Sequence, residues 1–253
     1  MFYYAMKYLD GVNLEELVQR VGPQCSARTI HILRQIAASL VEAQEVGLIH
    51  RDVKPANIIQ CERGGFSDVV KVVDFGLVKA LDAPTDASVS AANTITGTPH
   101  CLSPEAIRTP DKIDGRADLY AIGGVGYYLL TGQRLFESDN FVEICSHQLQ
   151  TTPERPSTRV GGEFPTDLED LIMRCLEKDP DKRPGDARDL VAELEGCMDS
   201  SGWNSEKAEG WWREHGAALR NAEASTAPPL ESSPTATLAP LDAGNTGALD
   251  SGQ

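Results

Sequence analysis

The segment His50–Asn57, which reads HRDVKPAN, constrains this chain more than any other feature. It follows a predicted helix that Ser26 caps and Gly47 ends, in which apolar residues recur at intervals of three and four. The β-branched run Val69–Val73 predicts a strand, and the tripeptide DFG follows it directly at residues 74–76. Charged and polar groups therefore gather in two loops beside regular elements. We interpret these loops as the centre of the chain's chemistry.

Both loops match a known pattern, and on them the chain resembles the Hanks-type, eukaryotic-like serine/threonine protein kinases, of a bacterial kind. HRDVKPAN agrees with H-R-D-x-K-x-x-N at every fixed letter, and chance agreement is on the order of 1 in 10^6 per site. DFG and the SPE tripeptide at residues 103–105 take the places of D-F-G and A-P-E. Lys54 and the GTP tripeptide at residues 97–99 resemble the serine/threonine type. The resemblance covers residues 1 to about 198.

The resemblance implies a mainly α, α+β protein-kinase-like fold, in which a helical C-terminal lobe carries short strands at the hinge and the catalytic loop. We expect a kinase domain at residues 1–198, a Trp-rich helical extension at 199–215, and a disordered tail at 216–253 that is rich in Ala, Pro, Ser and Thr. The extension holds Trp203, Trp211 and Trp212. Two interpretations of them stay open: docking of the extension on the body, or a separate binding surface.

Other elements follow from the distribution of apolar residues along the chain. Leu14–Val21 predicts a short helix, and Ala117–Leu130 predicts a helix that is buried on nearly all sides. Asp167 and Asp186 are the predicted N-caps of two amphipathic helices. Residues 77–100 show no period and predict a long surface loop, and such loops in compact domains are usually functional.

The resemblance implies four catalytic residues: Asp52, Lys54, Asn57 and Asp74. Phosphoryl transfer needs positioning and charge neutralisation more than covalent help. Asp52 would orient the acceptor hydroxyl and take its proton, while Lys54 would neutralise charge on the phosphoryl group. Asn57 and Asp74 would supply oxygen ligands for Mg²⁺, which bridges the phosphates of ATP. ATP and Mg²⁺ are the expected cofactors, and Ser or Thr residues of proteins are the expected acceptors.

The first residues resemble the end of a kinase fifth strand and the hinge, with a predicted strand at Phe2–Tyr8. By position, Met6 would be the gatekeeper. Backbone groups from Lys7 to Leu9 would face adenine, and Ile59 would pack under its ring. With Lys54, Asn57 and Asp74, these residues complete the expected nucleotide site.

Other residues are implied to support the site. His50 would pack beneath Phe75, and Gly76 would give the following loop its freedom. Thr98 would bond near Asp52 and Lys54, although Cys101 stands where the family pattern has Tyr.

Two further residue roles concern the frame of the site. Asp118, in a motif similar to D-x-W-x-x-G, would hold the catalytic loop through backbone hydrogen bonds. Arg183 would form a buried pair with Glu105, and breaking such a pair typically costs about 3–5 kcal/mol.

Arg51 has a regulatory counterpart in related kinases, where such an arginine pairs with a phosphorylated residue and orders the loop. Thr94 and Thr96 are the nearest candidates here, with Ser88 and Ser90 further away. The alternative is that all four are simply polar loop residues.

The 253 residues contain no G-x-G-x-x-G stretch, and the family's strand lysine and helix glutamate have no counterpart in them. We therefore expect little or no kinase activity from this polypeptide alone. Three explanations stay open: a misplaced start codon, a gene fragment, or a half-kinase with another role. The rival function is a pseudokinase-like scaffold lobe that holds partners on its helical surface.

Bulk properties exclude several other classes. The net charge of −15 disfavours a nucleic-acid binder. The six cysteines are scattered without a C-x-x-C pair, which favours reduced thiols over a disulfide framework or zinc site. The histidines His31, His100, His147 and His215 show no metal-ligand spacing. The most apolar stretch, Ala121–Leu130, is half the length of a membrane span, so we expect no span in this chain. The reduced thiols favour a cytoplasmic protein.

Overall fold

The computed structural model describes residues 9–75 and 99–221. Its strands are β1 (Gly11–Asn13), β2 (Ile58–Arg63) and β3 (Phe66–Val72). Its helices are α1 (Leu14–Val21), α2 (Ser26–Glu45), α3 (Pro104–Arg108), α4 (Arg116–Thr131), α5 (Phe141–Gln150), α6 (Pro156–Val160), α7 (Thr166–Cys175), α8 (Ala187–Gly196) and α9 (Ser205–Asn221). Short 3-10 turns cover Pro55–Asn57, Pro99–Cys101, Pro110–Lys112 and Pro180–Lys182.

Some predictions fall outside the described residues and receive no structural account. These are the strand at Phe2–Tyr8 with Met6 and Lys7, the residues Gly76, Thr94, Thr96 and Thr98, and most of the loop at 77–100.

The three strands form one antiparallel sheet in the order β1-β2-β3. β2 and β3 make a hairpin whose turn is Gly64-Gly65, with φ of 61° and 82°, values that glycine adopts without a Cβ penalty. The strand predicted at Val69–Val73 lies largely within β3, whereas β2 is one of the short strands that the resemblance implied at the catalytic loop, without predicted bounds. The hairpin places Asn57 immediately before β2 and Val73 immediately after β3.

The apolar core surrounds α4, which is buried along nearly its whole length as its sequence predicted. α2, α7 and α8 pack around it. A Cβ on Gly123 would lie 2.8 Å from the Cβ of Cys175, and one on Gly126 would lie 3.0 Å from Leu33. Both glycines therefore allow a close approach between helices.

The predicted helices are largely confirmed, with differences at their ends. α1 has the predicted bounds, and the Asp186 carboxylate caps α8 by accepting the Asp189 N–H at 2.8 Å. Ser26 is the first helical residue and not the cap; Cys25 occupies the cap position without a side-chain bond. α2 ends at Glu45, two residues before Gly47.

The prediction that Asp167 caps a helix is wrong. α7 begins at Thr166 after Pro165, so Asp167 lies in the first turn. Its carboxylate instead accepts the N–H groups of Leu168 at 2.8 Å and Met198 at 2.6 Å. Tertiary contact with the segment after α8 thus decides its role.

The extension forms α9, which continues to Asn221 and so passes the predicted start of the tail at residue 216. Its buried side chains Ala208, Trp212 and Leu219 recur at helical spacing and face the body. Docking is thus the interpretation that the structure supports for the tryptophans. The helices α3, α5 and α6 were not predicted.

Cysteine burial differs sharply along the chain: Cys25 is exposed, Cys101 is half-buried, and the other four are buried. In the two described ranges, no helix is both long and apolar enough to cross a membrane.

Candidate active site

The loop of residues 50–57 joins α2 to β2, and Asp118 in the first turn of α4 binds its backbone. The Asp118 carboxylate accepts the backbone N–H of His50 and that of Arg51, each at 2.8 Å. Arg51 has φ of 67°, a strained value that persists only where the surroundings fix it. Burial raises the pKa of Asp118, and the two N–H donors oppose that shift. This carboxylate therefore sets the path of the loop.

The side chains of two other predicted catalytic residues, Lys54 and Asn57, both contact Asp52. Lys54 Nζ lies 2.7 Å from Asp52 Oδ2, and Asn57 Nδ2 lies 2.9 Å from the same oxygen. Asn57 Nδ2 also donates to the Asp52 carbonyl at 2.9 Å. No donor among the described residues reaches Asp52 Oδ1. One carboxylate oxygen is thus fixed by a cation and an amide, and the other can accept a bond from a bound hydroxyl.

Asp74 is tied to this group through the sheet. The Val73 N–H donates to the Asn57 carbonyl at 2.9 Å and extends the ladder in which Ile58 pairs with Val72. Asp74 is exposed, with φ of 61°. Within the described residues, both hydrogen bonds of the Asn57 side chain use its Nδ2, so its amide oxygen can serve as a cation ligand. One amide oxygen and one carboxylate are hard oxygen donors that fit Mg²⁺.

His50 joins the two loops of the site. Its Nε2 lies 3.0 Å from the Val73 carbonyl, and its Nδ1 lies 3.3 Å from the Asp52 nitrogen. Because a carbonyl only accepts and an N–H only donates, the neutral tautomer protonated at Nε2 satisfies both contacts. The ring centroid lies 4.4 Å from that of Phe75. His50 thus packs against Phe75 and supports the main chain around Asp52.

The first turn of α3 is anchored by an ion pair between Glu105 and Arg183. Arg183 Nη1 and Nη2 lie 2.6 and 2.8 Å from the two carboxylate oxygens of Glu105. Arg183 also donates to the carbonyls of Glu177 and Arg116, each at 2.8 Å. The Arg183 side chain is fully buried, so every part of its guanidinium needs a partner, and these contacts provide them.

The predicted nucleotide residues are partly described. Ile59 is half-buried in β2 between Asn13 of β1 and Lys71 of β3, and Leu9 is half-buried ahead of β1. Ile59 lies in the sheet two residues after Asn57, and Leu9 lies two residues before β1.

Sequence reasoning missed a network beneath the site. Tyr120 Oη donates to Gln148 at 2.5 Å, and Gln148 Nε2 donates to the His100 carbonyl at 2.9 Å. Lys178 Nζ donates to Tyr120 Oη at 2.9 Å and lies 5.1 Å from the Phe136 ring. Helical spacing marks Tyr120 and Gln148 only as inward-facing residues, so no local signal reveals the link.

A cavity beside Lys54 was also missed. Pro55, Ala56, Cys101 and Leu135 contribute to its apolar lining. Burial raises the pKa of the Cys101 thiol to about 12. That thiol therefore acts as an apolar wall of the cavity.

Known proteins resemble this chain in sequence. The family model for the protein kinase domain matches residues 1–194. The chain is 37% identical over 195 residues to serine/threonine-protein kinase pkn3 of Myxococcus xanthus, covering 76% of this chain and 36% of that protein. It is 36% identical over 192 residues to serine/threonine-protein kinase PknB of Mycobacterium tuberculosis, covering 76% and 30%. The chain thus spans about a third of the length of these relatives.

The fold is similar to a crystal structure of a double mutant of the PknI kinase domain from Mycobacterium tuberculosis. The TM-score is 0.55 at 21% identity, with 76% of this chain and 63% of that chain covered. The predicted fold class is therefore confirmed. The chain belongs to the protein kinase domain family, whose members generally use ATP and Mg²⁺, and its relatives are serine/threonine-protein kinases.

Proposed function

We propose that this chain supplies the catalytic lobe of a kinase that transfers the γ-phosphate of ATP to Ser or Thr hydroxyls of protein substrates. The observation that carries the proposal is the arrangement at Asp52. Lys54 and Asn57 fix one of its carboxylate oxygens at 2.7 and 2.9 Å. A carboxylate held in this way is oriented before any substrate arrives.

Asp52 Oδ1 accepts a hydrogen bond from the acceptor hydroxyl and aims its oxygen at the phosphoryl group. Because a carboxylate is a weak base, orientation is its larger role and proton removal comes late. The Lys54 ammonium, beside Asp52, neutralises charge that develops on the transferred group. Bound Mg·ATP supplies that group and further charge neutralisation.

Asn57 and Asp74 would hold Mg²⁺ through the amide oxygen and the carboxylate. The ladder bond between Val73 N–H and the Asn57 carbonyl, at 2.9 Å, supports this assignment because it keeps the two residues in register. Lys7, Leu9 and Ile59 are proposed to contact the adenine part of the nucleotide.

By the same resemblance, Arg51 is proposed to pair with phosphorylated Thr94 or Thr96, and Thr98 to bond near Asp52. The Asp118 carboxylate accepts the backbone N–H groups of residues 50 and 51, and this supports a fixed position for Arg51. All three threonines lie outside the described residues.

Two substitutions test the proposal. Asp74→Asn should weaken Mg²⁺-dependent nucleotide binding at least ~10-fold, since a ligand charge is lost. Asp52→Asn should leave that binding unchanged and lower phosphoryl transfer by about 10²–10⁴-fold. Titration with a fluorescent ATP analogue, with and without Mg²⁺, separates the two effects. Equal behaviour of both variants would contradict the assigned roles.

For this polypeptide by itself, we propose weak activity. Its 253 residues contain no G-x-G-x-x-G segment to cover the phosphates. Transfer to a protein substrate at an ordinary kinase rate of ~1–100 s⁻¹ would contradict this.

The second candidate is a non-catalytic scaffold lobe, which the exposed apolar residues of α5 favour. Phe141 is 43% and Val142 is 71% exposed at the start of that helix. A scaffold would bind a partner through this face and would show no Mg²⁺-dependent affinity for nucleotide. The titration above therefore distinguishes the two functions.

A further inference from the structure

A buried network of charged and polar side chains lies away from the 50–57 loop, where α9 meets the sheet. We call it the tryptophan clamp, formed by Arg28, Asp68, Trp203, Trp211 and Trp212. Arg28 is 1% exposed and Asp68 is fully buried. Buried charges of this kind are stable only when they are paired and fully hydrogen-bonded.

The charges are paired in a two-pronged geometry. Arg28 Nε lies 2.9 Å from Asp68 Oδ2, and Arg28 Nη2 lies 2.8 Å from Oδ1. Gln24 and Gln60 accept the remaining guanidinium bonds at 2.8 and 3.2 Å. Helix α2 and strand β2 therefore contribute to the same site as β3.

Helix α9 and the residues before it complete the site. Trp203 Nε1 donates to Asp68 Oδ2 at 2.9 Å, and Trp212 Nε1 donates to Oδ1. The Trp211 ring covers the Arg28 guanidinium, whose Cζ lies 3.4 Å from the ring centroid. Each carboxylate oxygen thus takes one donor from α2 and one from the extension.

The backbone at Asp68 is part of this arrangement. Its φ is 60°, a left-handed value that few residues other than glycine, asparagine and aspartate adopt. Such strain persists where neighbours over-determine the conformation. Gln35 adds to this by donating to the Asp68 carbonyl at 2.9 Å and accepting the Val70 N–H at 3.1 Å.

The hairpin links the clamp to the candidate cation ligands. Gln60 of β2 lies three residues after Asn57, roughly 10 Å along the strand. Asp68 of β3 lies six residues before Asp74, roughly 20 Å away. Between them the strands pair continuously from Cys61–Val69 to Ile58–Val72, and the Val73–Asn57 bond closes the ladder.

We propose that the tryptophan clamp makes the C-terminal extension a positioning element for the active site: docking of α9 on Asp68 fixes the β2–β3 register and thereby the spacing of Asn57 and Asp74. The catalytic meaning of this coupling rests on the proposed function. Asp68 and Trp212 are positioning residues, since neither contacts the reacting groups.

The test uses Trp212→Phe, which removes the N–H to Asp68 and keeps an aromatic ring. Glu214→Gln, on the exposed side of α9, is the matched control. Trp203→Phe removes the other indole donor from a less buried position and serves as a milder second variant. Circular dichroism and thermal melting verify that each variant is folded.

Hydrogen exchange gives a readout that does not depend on ligands. We expect Trp212→Phe to speed exchange of the Val73 amide, which bonds Asn57, by about 5- to 10-fold, because local opening becomes easier. The Glu214→Gln amides should match the parent chain. Faster exchange within residues 205–221 with an unchanged Val73 amide would overturn the coupling.

Metal affinity gives the second readout. In the whole chain with saturating ATP, the apparent Kd for Mg²⁺ should rise about 3- to 10-fold in Trp212→Phe, below the 10–100-fold typical of direct partners of metal ligands. Binding of ATP in EDTA should stay the same, which a general loss of structure would not allow. An unchanged Mg²⁺ affinity beside a faster Val73 amide would overturn the positioning role. If the parent chain binds no Mg·ATP, the proposed function fails, and the exchange data alone decide whether the clamp governs the hairpin.

Discussion

The 50–57 loop and the tryptophan clamp both centre on an aspartate that faces a cation, yet they differ in how completely that aspartate is bonded. At Asp68, both carboxylate oxygens take two donors, and the group is closed to solvent. At Asp52, the described contacts reach one carboxylate oxygen, and the side chain stays 26% exposed. The difference separates stability from chemistry, because an oxygen left open can receive a substrate, whereas a fully bonded pair can only hold the fold together.

The largest expected effect tests the chemical role of Asp52. Asp52→Asn should lower the weak phosphoryl transfer of this chain to the assay background, a fall of up to about 10²–10⁴-fold, while the melting temperature stays unchanged, because the pair with Lys54 is part-exposed and adds little stability. Single-turnover assays and thermal melts measure the two quantities. Asp111→Asn, on the exposed surface, is the control. A large loss of stability would show that Asp52 is structural.

The next largest effect tests the contribution of the Arg28–Asp68 ion pair to stability. Arg28→Met should lower the free energy of unfolding by about 3–5 kcal/mol, because the buried Asp68 carboxylate would lose its charged partner. Arg34→Met in the same helix removes a 38% exposed arginine and should change little. Urea unfolding measures both. Adding Asp68→Asn to Arg28→Met should recover part of the loss, and the absence of any recovery would argue against the ion pair as the cause.

Asp118 sharpens the comparison because it is buried like Asp68 but bonded by neutral N–H groups of the 50–57 loop. Asp118→Asn should cost about 1–3 kcal/mol, since one of the two backbone donors loses its acceptor. Hydrogen exchange at His50 and Arg51 should accelerate more than exchange in β2. Uniform acceleration across the lobe would instead indicate general destabilisation.

The smallest effect concerns Lys178 in the network beneath the site. Burial, with the nearby cations Arg183 and Arg108, lowers the pKa of Lys178 from 10.5 to about 8. The folded state therefore disfavours the charged form, and this penalty is fully present below pH 8 and is relieved as pH rises from about 8 to 10.5.

Lys178→Met should accordingly raise stability near pH 7 by about 1 kcal/mol, a value reduced for solvent screening of a part-exposed group. The gain over the parent chain should shrink towards pH 10.5. Urea unfolding of both proteins at pH 7 and pH 9.5 measures the difference in their free energies of unfolding. The titration of all other groups cancels in this difference, because both proteins contain them. A constant loss at both pH values would show that the bond to Tyr120 outweighs burial.

Features that depend on contacts between residues close in the sequence could be predicted from it. Asp52, Lys54 and Asn57 lie within six residues, so one motif specifies their arrangement. Helices α1 and α4 were predicted within one residue of their ends, α4 because its run is apolar on nearly all sides. The fold class was predicted through the family resemblance.

The parts that were missed depend on long-range contacts. Asp68 meets Trp203 and Trp212 across 135 and 144 residues, and no local pattern encodes such a pair. The bounds of β2 were not predicted because its polar residue Gln60 bonds buried Arg28, which hides the usual alternation of apolar and polar residues. Asp167 looked like a cap, but its carboxylate also serves the distant Met198 N–H.

The uneven burial of the cysteines gives the chain a built-in labelling handle. Burial raises the pKa of the thiols at Cys61, Cys101, Cys145, Cys175 and Cys197, which keeps them protonated and slow to alkylate. Cys25 is exposed and lies three residues before Arg28. A maleimide dye should therefore attach first at this position without mutagenesis and report, through quenching by the nearby indole rings, whether the extension is docked.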